Sequence, residues 1–326
     1  MKVSFPLRGI GSCVAMLILI LDSNTALEGA KAALNLIFDT VIPSLFPFFF
    51  LSILLTSVKG PGHYRLLRPV GLLFQIPEGQ EYLLLPGFLG GYPAGAQAIT
   101  SACEQGFLSR DTAERLLGFC SNAGPSFLFG ILAAQFPQKW MAWALWFLHI
   151  SGALLASRMV SQNSGINVGA PYTSAKTLSE VLSASMKVMG NVCGWLLLFR
   201  VLLAFLERWI LWLLPESAGI FCTGLLELTN GCCLLNRITD LRLRFLICSI
   251  LLSLGGLCVF LQTQSVTKDL SLRYYIRGKL IQAIYSGTFA AVLMYHTVYP
   301  LVISIILVIP YLEGKKRSSI PESAGV

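Results

Sequence analysis

The stretch that decides the fold runs from Tyr82 to Cys103 and reads YLLLPGFLGGYPAGAQAITSAC. It carries no charge and is long enough to cross the roughly 30 Å of bilayer hydrocarbon as a helix. Its centre contains GGYPAG, at Gly90 to Gly95, where the proline removes a helical hydrogen bond and disfavours helix at the residue before it. Non-helical backbone at membrane depth persists only inside protein or beside water. The stretch therefore predicts a re-entrant hairpin within a membrane protein.

Composition excludes a soluble globular domain. Charged residues make up 12% of the 326 residues, about half the usual share, and hydrophobic residues make up 55%. Mean hydropathy is +0.70. The net charge of +8 lies mainly in short connections between apolar runs, which favours a role in membrane topology over binding of nucleic acid.

The apolar runs predict eight membrane crossings. They lie near residues 8–27, 34–58, 116–138, 140–158, 186–206, 245–264, 276–295 and 297–313. Lys2 and Arg8 precede the first run, which fits either a cleaved signal peptide or a retained span. We expect a retained span, because the chain beyond it is itself embedded in the membrane.

A second apolar segment, Ile220 to Asn236, is interrupted by ELTNG and predicts a second re-entrant hairpin. The chain then divides into two halves with the same order of span, hairpin, broken span and span. The predicted fold is an all-α polytopic membrane protein with about eight transmembrane helices and two re-entrant hairpins in two inverted-topology repeats. The predicted domains are an N-terminal span and outer loop (1–33), a first repeat (34–160), a linker (161–186), a second repeat (187–295), and a C-terminal span with a basic tail (296–326).

The positive-inside rule places most basic residues of this layout on the cytoplasmic side, and Lys279 is counted among them. An arginine cluster at 237–244 falls on the outer side and disagrees with the rule. Arg200 lies within a predicted span, two turns before Glu207, and is expected to snorkel outward.

Candidate binding residues lie where the apolar segments are interrupted. In the first hairpin they are Gly91, Tyr92, Pro93, Gly95 and Gln97. Small residues permit close approach of a ligand to the backbone, and the break frees amide and carbonyl groups. Gly91 and Gly95 equally fit a packing face of small residues, and the two interpretations are compatible.

A second group follows in the first broken span, at Ser121, Asn122, Gly124 and Pro125. The proline is expected to unwind the helix and expose backbone beside the two polar side chains. An ordinary proline kink, with Ser121 bonded to a carbonyl, is the alternative. Ser109 or Asp111 is expected to cap the helix that leads into this group.

The second hairpin contributes Glu227, Thr229, Asn230 and Gly231. A carboxylate at membrane depth costs about 2.5 kcal/mol or more, so a partner or a function is expected for Glu227. It could bind a cation, relay a proton or accept from a solute hydroxyl. The alternative is a position at the aqueous rim of a short hairpin.

The second broken span contributes Gly255, Gly256 and Gln262, at the position that corresponds to Ser121–Pro125 in the first. The three histidines have no ligand spacing, and no nucleophile–base grouping is recognisable. The nine cysteines lie mostly within apolar runs and form no CxxC pair. We therefore expect no catalytic residues, no metal site and no cofactor.

Several motifs resemble a known family. They are LFPFF at Leu45 to Phe49, GYPAGA at Gly91 to Ala96, EQG at Glu104 to Gly106 and FCSNAGP at Phe119 to Pro125, with GGL at Gly255 to Leu257 and QTQ at Gln262 to Gln264. Over about residues 34–295 the chain resembles the YlbJ-type sporulation integral membrane proteins of the nucleoside-recognition (Gate) domain group. The resemblance implies a membrane protein of endospore formation, with units similar to those of concentrative nucleoside transporters.

Inverted repeats that meet at the membrane midplane can expose one site alternately to either side. The sequence therefore predicts a transporter or permease of a small polar solute, nucleoside-like or another metabolite. A structural or assembly protein of the spore envelope stays open as the alternative. The expected partners are the solute, a coupling ion or proton, and membrane lipid, with no nucleic acid; a homo-oligomer and a spore-envelope protein partner stay open. The expected location is the cell membrane, which in sporulating cells means the mother-cell or forespore membrane.

Overall fold

The computed structural model describes residues 5–58, 65–160 and 176–296. Every regular element within these ranges is helical and no strand occurs in them, which confirms the all-α class. The predicted span at 297–313 and most of the predicted linker, residues 161–175, lie outside the described residues.

The first part of the described chain contains nine α-helices. They are α1 (Phe5–Leu21), α2 (Ser23–Leu36), α3 (Ile42–Val58), α4 (Arg68–Leu73), α5 (Leu84–Phe88), α6 (Ala94–Glu104), α7 (Arg110–Leu117), α8 (Pro125–Phe127) and α9 (Lys139–Val160). A π-helical turn at Ile37–Val41 joins α2 to α3, and another at Leu128–Leu132 continues α8. Ser109 caps α7 by accepting from the amide of Thr112, which confirms one of the two predicted caps.

Six further helices follow. They are α10 (Leu178–Trp209), α11 (Glu216–Leu226), α12 (Leu228–Cys233), α13 (Leu241–Leu254), α14 (Gly256–Thr267) and α15 (Arg273–Tyr295). Helix α10 begins within the segment 161–186 predicted as linker, because Thr177 and Glu180 form a capping box. The amide of Glu180 donates to the Thr177 hydroxyl at 3.3 Å, and the amide of Thr177 donates to the Glu180 carboxylate at 2.7 Å.

Four helical stretches within the described residues are long and apolar enough to cross a membrane. They are Ser23–Leu55, Lys139–Val160, Leu178–Trp209 and Leu241–Thr267, and shorter apolar helices occur at Gly9–Leu21, Pro125–Gln135 and Glu216–Leu226. The predicted span at 116–138 is not one helix, because residues 118–124 separate α7 from α8. The first predicted span likewise ends at Leu21, since Asp22 caps a new helix.

Large apolar side chains cover the outer surfaces of these helices. Leu21, Phe147 and Trp212 are 83%, 68% and 69% exposed, and many leucines on α1, α2 and α10 are similarly open. A soluble protein rarely exposes so much contiguous apolar surface. The exposed apolar surface fits contact with lipid, and it agrees with a multi-pass membrane protein.

Two long helices organise the packing. Helix α15 packs against α9 and α13, and α10 packs against α2 and α3. The contact of α2 with α10 is close at Gly29, where a built methyl group would lie 2.9 Å from the Ala204 side chain. The interrupted elements α5–α6, α7–α8, α11–α12 and α13–α14 lie among these long helices and meet near the centre of the molecule.

The arginine cluster at 237–244 has a structural explanation. The Arg244 guanidinium donates to the carbonyl oxygens of Gln135, Asn236 and Ile238 at 2.8, 3.2 and 2.6 Å. These carbonyls end helical turns and would otherwise lack partners. Arg244 is therefore held in place by carbonyl acceptors, which accounts for one member of the cluster that the topology rule could not place.

Candidate functional site

A small cavity lies where three of the four interruptions meet. Its volume is about 60 Å³, and its polar and backbone lining comes from Thr40, Ser44, Gly91, Tyr92, Gly124, Glu227, Thr229 and Gln262. Apolar side chains of Val41, Leu45, Val192, Leu196 and Val259 complete the wall. One water needs roughly 10–15 Å³ by the same measure, so a cavity of this size has room for a few waters.

Glu227 forms the polar end of this cavity. It is 1% exposed and lies between α11 and α12, with extended backbone at φ −139° and ψ 113°. One carboxylate oxygen accepts the Thr229 amide at 2.9 Å, and the other accepts the backbone and side-chain N–H groups of Asn230, both at 2.6 Å. These bonds cap α12 and offset the cost of burying the charge. The burial disagrees with the alternative of a position at an aqueous rim.

Tyr92 is the wall residue that links the first hairpin to the second half of the chain. It follows Gly91, whose φ of +76° places the backbone in the left-handed region that favours glycine. The Tyr92 hydroxyl donates to the carbonyl oxygen of Leu252 at 3.3 Å, near the end of α13. A methyl group built on Gly255 would lie 3.4 Å from the Tyr92 ring, so the fourth interruption also lies against this side chain.

Asn122 stabilises the break between α7 and α8. Its side-chain N–H groups donate to the carbonyl oxygens of Phe119 at 2.6 Å and Gly87 at 3.3 Å. These bonds satisfy backbone acceptors that a continuous helix would have used, and they attach the break to α5. The proline kink was therefore predicted at the right place, but the unwound segment starts seven residues before Pro125, at Gly118.

A buried lysine completes the centre of the molecule. Lys279, on α15, is 3% exposed, and its ammonium donates to Gln282 Oε1 at 2.9 Å, the Tyr92 hydroxyl at 3.1 Å and Asn122 Oδ1 at 3.3 Å. The ammonium also lies 4.9 Å from the centre of the Tyr92 ring and 5.9 Å from that of Tyr275. The prediction that Lys279 belongs to the cytoplasmic basic residues is wrong, because its helix face is turned inward.

Gln282 and His149 extend this polar network to α9. The Gln282 side-chain N–H group lies 3.2 Å from Asn122 Oδ1 and 2.8 Å from the His149 carbonyl oxygen. The amide of Ala123 donates to His149 Nε2 at 3.2 Å. The network therefore joins α9 and α15 to the backbone of the first broken span.

The sequence predictions missed these residues, although α15 carries a signal for them. Tyr275, Gly278, Lys279, Gln282 and Ser286 recur at helical spacing and are all buried. A stripe of small and polar residues within an otherwise apolar helix indicates a face that packs against protein, and it could have placed Lys279 inside.

Several predicted site glycines serve close packing. A methyl group on Gly95 would overlap the carbonyl oxygen of Cys120, and one on Gly231 would overlap the Cα of Gly224. Gly256 has φ +78°, and a methyl group there would lie 2.8 Å from the Gly224 carbonyl oxygen. These contacts agree with the packing interpretation that the sequence left open for Gly95.

The predicted site residues thus separate by location. Six of them line the cavity: Gly91, Tyr92, Gly124, Glu227, Thr229 and Gln262. Asn122 belongs to the lysine network, and Asn230 bonds to Glu227. Eight others do not line the cavity: Pro93, Gly95, Gln97, Ser121, Pro125, Gly231, Gly255 and Gly256. Ser121 is fully buried, and its hydroxyl has no hydrogen-bond partner among the described residues, which disagrees with the alternative of a proline kink with Ser121 bonded to a carbonyl.

A larger groove of about 430 Å³ lies beside α12. Its lining includes Arg200, Glu207, Asn230 and Cys233. Arg200 pairs with Glu207 at 3.2 Å. Asn230 both lines the groove and donates to Glu227, so this residue connects the groove to the carboxylate at the cavity.

The described residues contain no group of three His, Cys, Asp or Glu side chains placed to hold a metal ion. The nine cysteines are all free.

The fold and the site define a multi-pass α-helical membrane protein with a polar centre built from interrupted helices. The chain is similar to the sporulation integral membrane protein YlbJ of Bacillus subtilis (strain 168), with 26% identity over 320 residues that cover 82% of this chain and 77% of that protein. This likeness supports the resemblance to YlbJ-type proteins that the motifs indicated, and it does not test the resemblance to the Gate domain group. No family model matches the chain, and no solved structure matches it.

Proposed function

We propose that this protein transports a small polar solute across a membrane of the sporulating cell. The observation that carries the proposal is the cavity at the meeting point of the interrupted helices, where a buried carboxylate is held by backbone amides. Interrupted membrane helices whose ends meet at a central cavity are typical of transporter binding sites. The sporulation role rests on the likeness to YlbJ.

The order of elements supports two repeats. Helix α3, the α5–α6 pair, the broken α7–α8 and α9 correspond in order to α10, the α11–α12 pair, the broken α13–α14 and α15. Equivalent helices contact each other, α3 with α10 and α9 with α15. We take the two helix pairs as the re-entrant hairpins of Gate-like repeats with inverted topology, a design that permits alternating access.

The cavity lining indicates the chemistry of the solute. Glu227 presents an anionic acceptor, Gln262 and Thr229 offer further hydrogen-bonding groups, and most of the other lining side chains are apolar. A solute with a hydroxyl or amine donor at one end and an apolar surface at the other fits this lining. At about 60 Å³ the cavity is far below the roughly 300–1,000 Å³ of drug-sized pockets, so binding of a nucleoside-sized solute requires the hairpins to separate.

The groove beside Asn230 is the route by which we expect the solute to enter. It is larger than the cavity, and its lining includes Asn230, which donates to Glu227. Movement of α12 would break the Asn230–Glu227 bond and join the two spaces. In this proposal the contact of Asn230 with Glu227 acts as the gate, and Glu227 recognises the solute.

Transport is tested with the protein in proteoliposomes that are incubated in a metabolite extract of sporulating cells. Mass spectrometry of the vesicle contents should find at least one small polar compound enriched over empty vesicles. Glu227→Gln, which keeps the size of the side chain but removes its charge, should abolish the enrichment at equal membrane abundance. The matched control is Glu104→Gln, since Glu104 is an exposed carboxylate that pairs with Lys268.

One result would count against the transport function, and another would count against the role of Glu227. Absence of any enriched compound in wild-type vesicles would favour the alternative of a structural or assembly protein. Equal enrichment by Glu227→Gln would keep transport but remove Glu227 from recognition of the solute.

A further inference from the structure

The starting observation is a buried positive charge that has only neutral partners. The three acceptors of the Lys279 ammonium are a hydroxyl and two amide oxygens, and no carboxylate forms an ion pair with it among the described residues. Lysines buried within membrane proteins are costly and commonly mark ion or proton pathways. Lys279 is therefore unusual for a residue with a purely structural role.

The geometry argues against binding of an anionic solute at Lys279. An ammonium group has three N–H donors, and all three already have acceptors at 2.9–3.3 Å. Lys279 does not line the cavity. It is connected to the cavity by Tyr92, which lines the cavity and accepts a hydrogen bond from the Lys279 ammonium. The group is thus placed to change the wall of the cavity without touching the solute.

Other titratable groups surround the ammonium. Tyr92 and Tyr275 face it with their rings, and Cys120 and His149 lie near it from the first broken span and from α9. His149 accepts an N–H group at Nε2, so its ring is neutral in this arrangement, because an imidazolium has donors at both nitrogens. Among Lys279 and these four groups, Lys279 is the one whose hydrogen-bond partners favour its charged form.

We propose that Lys279 carries the proton that couples transport to the proton gradient, an inference that rests on the proposed transport function. When the centre opens to one side, the ammonium transfers one proton to water, which leaves a neutral amine and hydronium. When it opens to the other side, the amine takes one proton from hydronium. A neutral amine has two N–H donors, so one of the three acceptors loses its bond at each release. Loss of the bond to Tyr92 would free the cavity wall to move.

The first experiment uses the proton itself as the probe and needs no solute. Purified protein in detergent is titrated from about pH 5 to about pH 10, and wild type should exchange one more proton than Lys279→Arg, because arginine keeps its proton throughout this range. Lys187→Gln serves as the control, since Lys187 is exposed on α10. That variant removes a different amine and leaves the Lys279 amine in place. Identical titrations of wild type and Lys279→Arg would overturn the proposal.

The second experiment measures coupling with the compound enriched by wild-type vesicles. A gradient of one pH unit should raise accumulation about tenfold in wild type if one proton moves with each solute, and it should have no effect in Lys279→Arg. Exchange of labelled for unlabelled compound without a gradient should persist in Lys279→Arg, which shows that the variant is folded and binds solute. Accumulation by Lys279→Arg that still follows the gradient would refute the coupling role. Absence of exchange in wild type would instead refute the transport function.

Discussion

Replacing Gly95 with alanine should destabilise the fold without directly altering solute recognition. Gly95 lies on α6, where a built methyl group would overlap the carbonyl oxygen of Cys120 and lie 2.8 Å from the Cα of Gly87. Both neighbours are backbone atoms, so neither can rotate away as a side chain would. Helix α6 must therefore move away from α5 and from the break that carries Asn122.

The expected magnitude follows from two opposing effects. Overpacking a well-packed interior costs about 1–3 kcal/mol, and more where backbone must shift. Replacing a glycine by alanine within a helix stabilises the helix by about 0.5–1 kcal/mol. The net loss is on the order of 2 kcal/mol, which lowers Tm by about 3 °C when the unfolding entropy is about 2.1 cal/mol/K per residue over 326 residues.

The measurement is thermal unfolding of purified protein in detergent, followed by tryptophan fluorescence. The control is Gly194→Ala on α10, where no atom lies within 4 Å of the built methyl group. That variant should unfold at the wild-type temperature or slightly above it. If Gly95→Ala keeps the wild-type Tm and still loses solute uptake, the close-packing argument is wrong and Gly95 is a binding residue.

Three further variants test other parts of the structure. Gly256→Ala should lower the free energy of unfolding by about 1–2 kcal/mol because of the positive φ alone. Contact of the new methyl group with the Gly224 carbonyl should lower it further, and both effects should lower Tm. Asp240→Ala removes the side chain that accepts the Arg242 amide at 2.9 Å, so Tm should fall by the equivalent of about 0.5–2 kcal/mol, whereas Asp240→Asn should retain most of the stability. Tyr92→Phe removes a hydroxyl that bonds to Leu252 and Lys279, both in the second half of the chain. A purified variant of wild-type Tm with slower uptake is expected, and wild-type uptake would contradict the role of the hydroxyl.

The interruptions could be predicted from sequence because they depend on local backbone chemistry. Pro93 and Pro125 cannot continue a helix, and paired glycines at 255 and 256 permit the positive φ angles found there. The extent of the first break was not predictable in this way. Asn122 replaces the helical hydrogen bonds of residues before Pro125, and its partner Gly87 lies on another helix.

The lysine network could not be derived from local sequence for a similar reason. Arg273, Arg277 and Lys279 precede an apolar run, a pattern typical of a cytoplasmic flank. Whether the last of them faces water or protein depends on the rotation of α15 against α9 and α13. The tertiary packing of that helix places the lysine beside Tyr92 and Asn122, which are far from it in the sequence.

The neutral surroundings of Lys279 have an electrical consequence. A proton that enters this amine from one side and leaves on the other carries one elementary charge through the bilayer, and no bound anion among the described residues cancels it. A membrane potential of 100 mV acts on such a charge with about 2.3 kcal/mol. Uptake of an uncharged solute by this protein would therefore generate a current, and it would respond to voltage as well as to acidity.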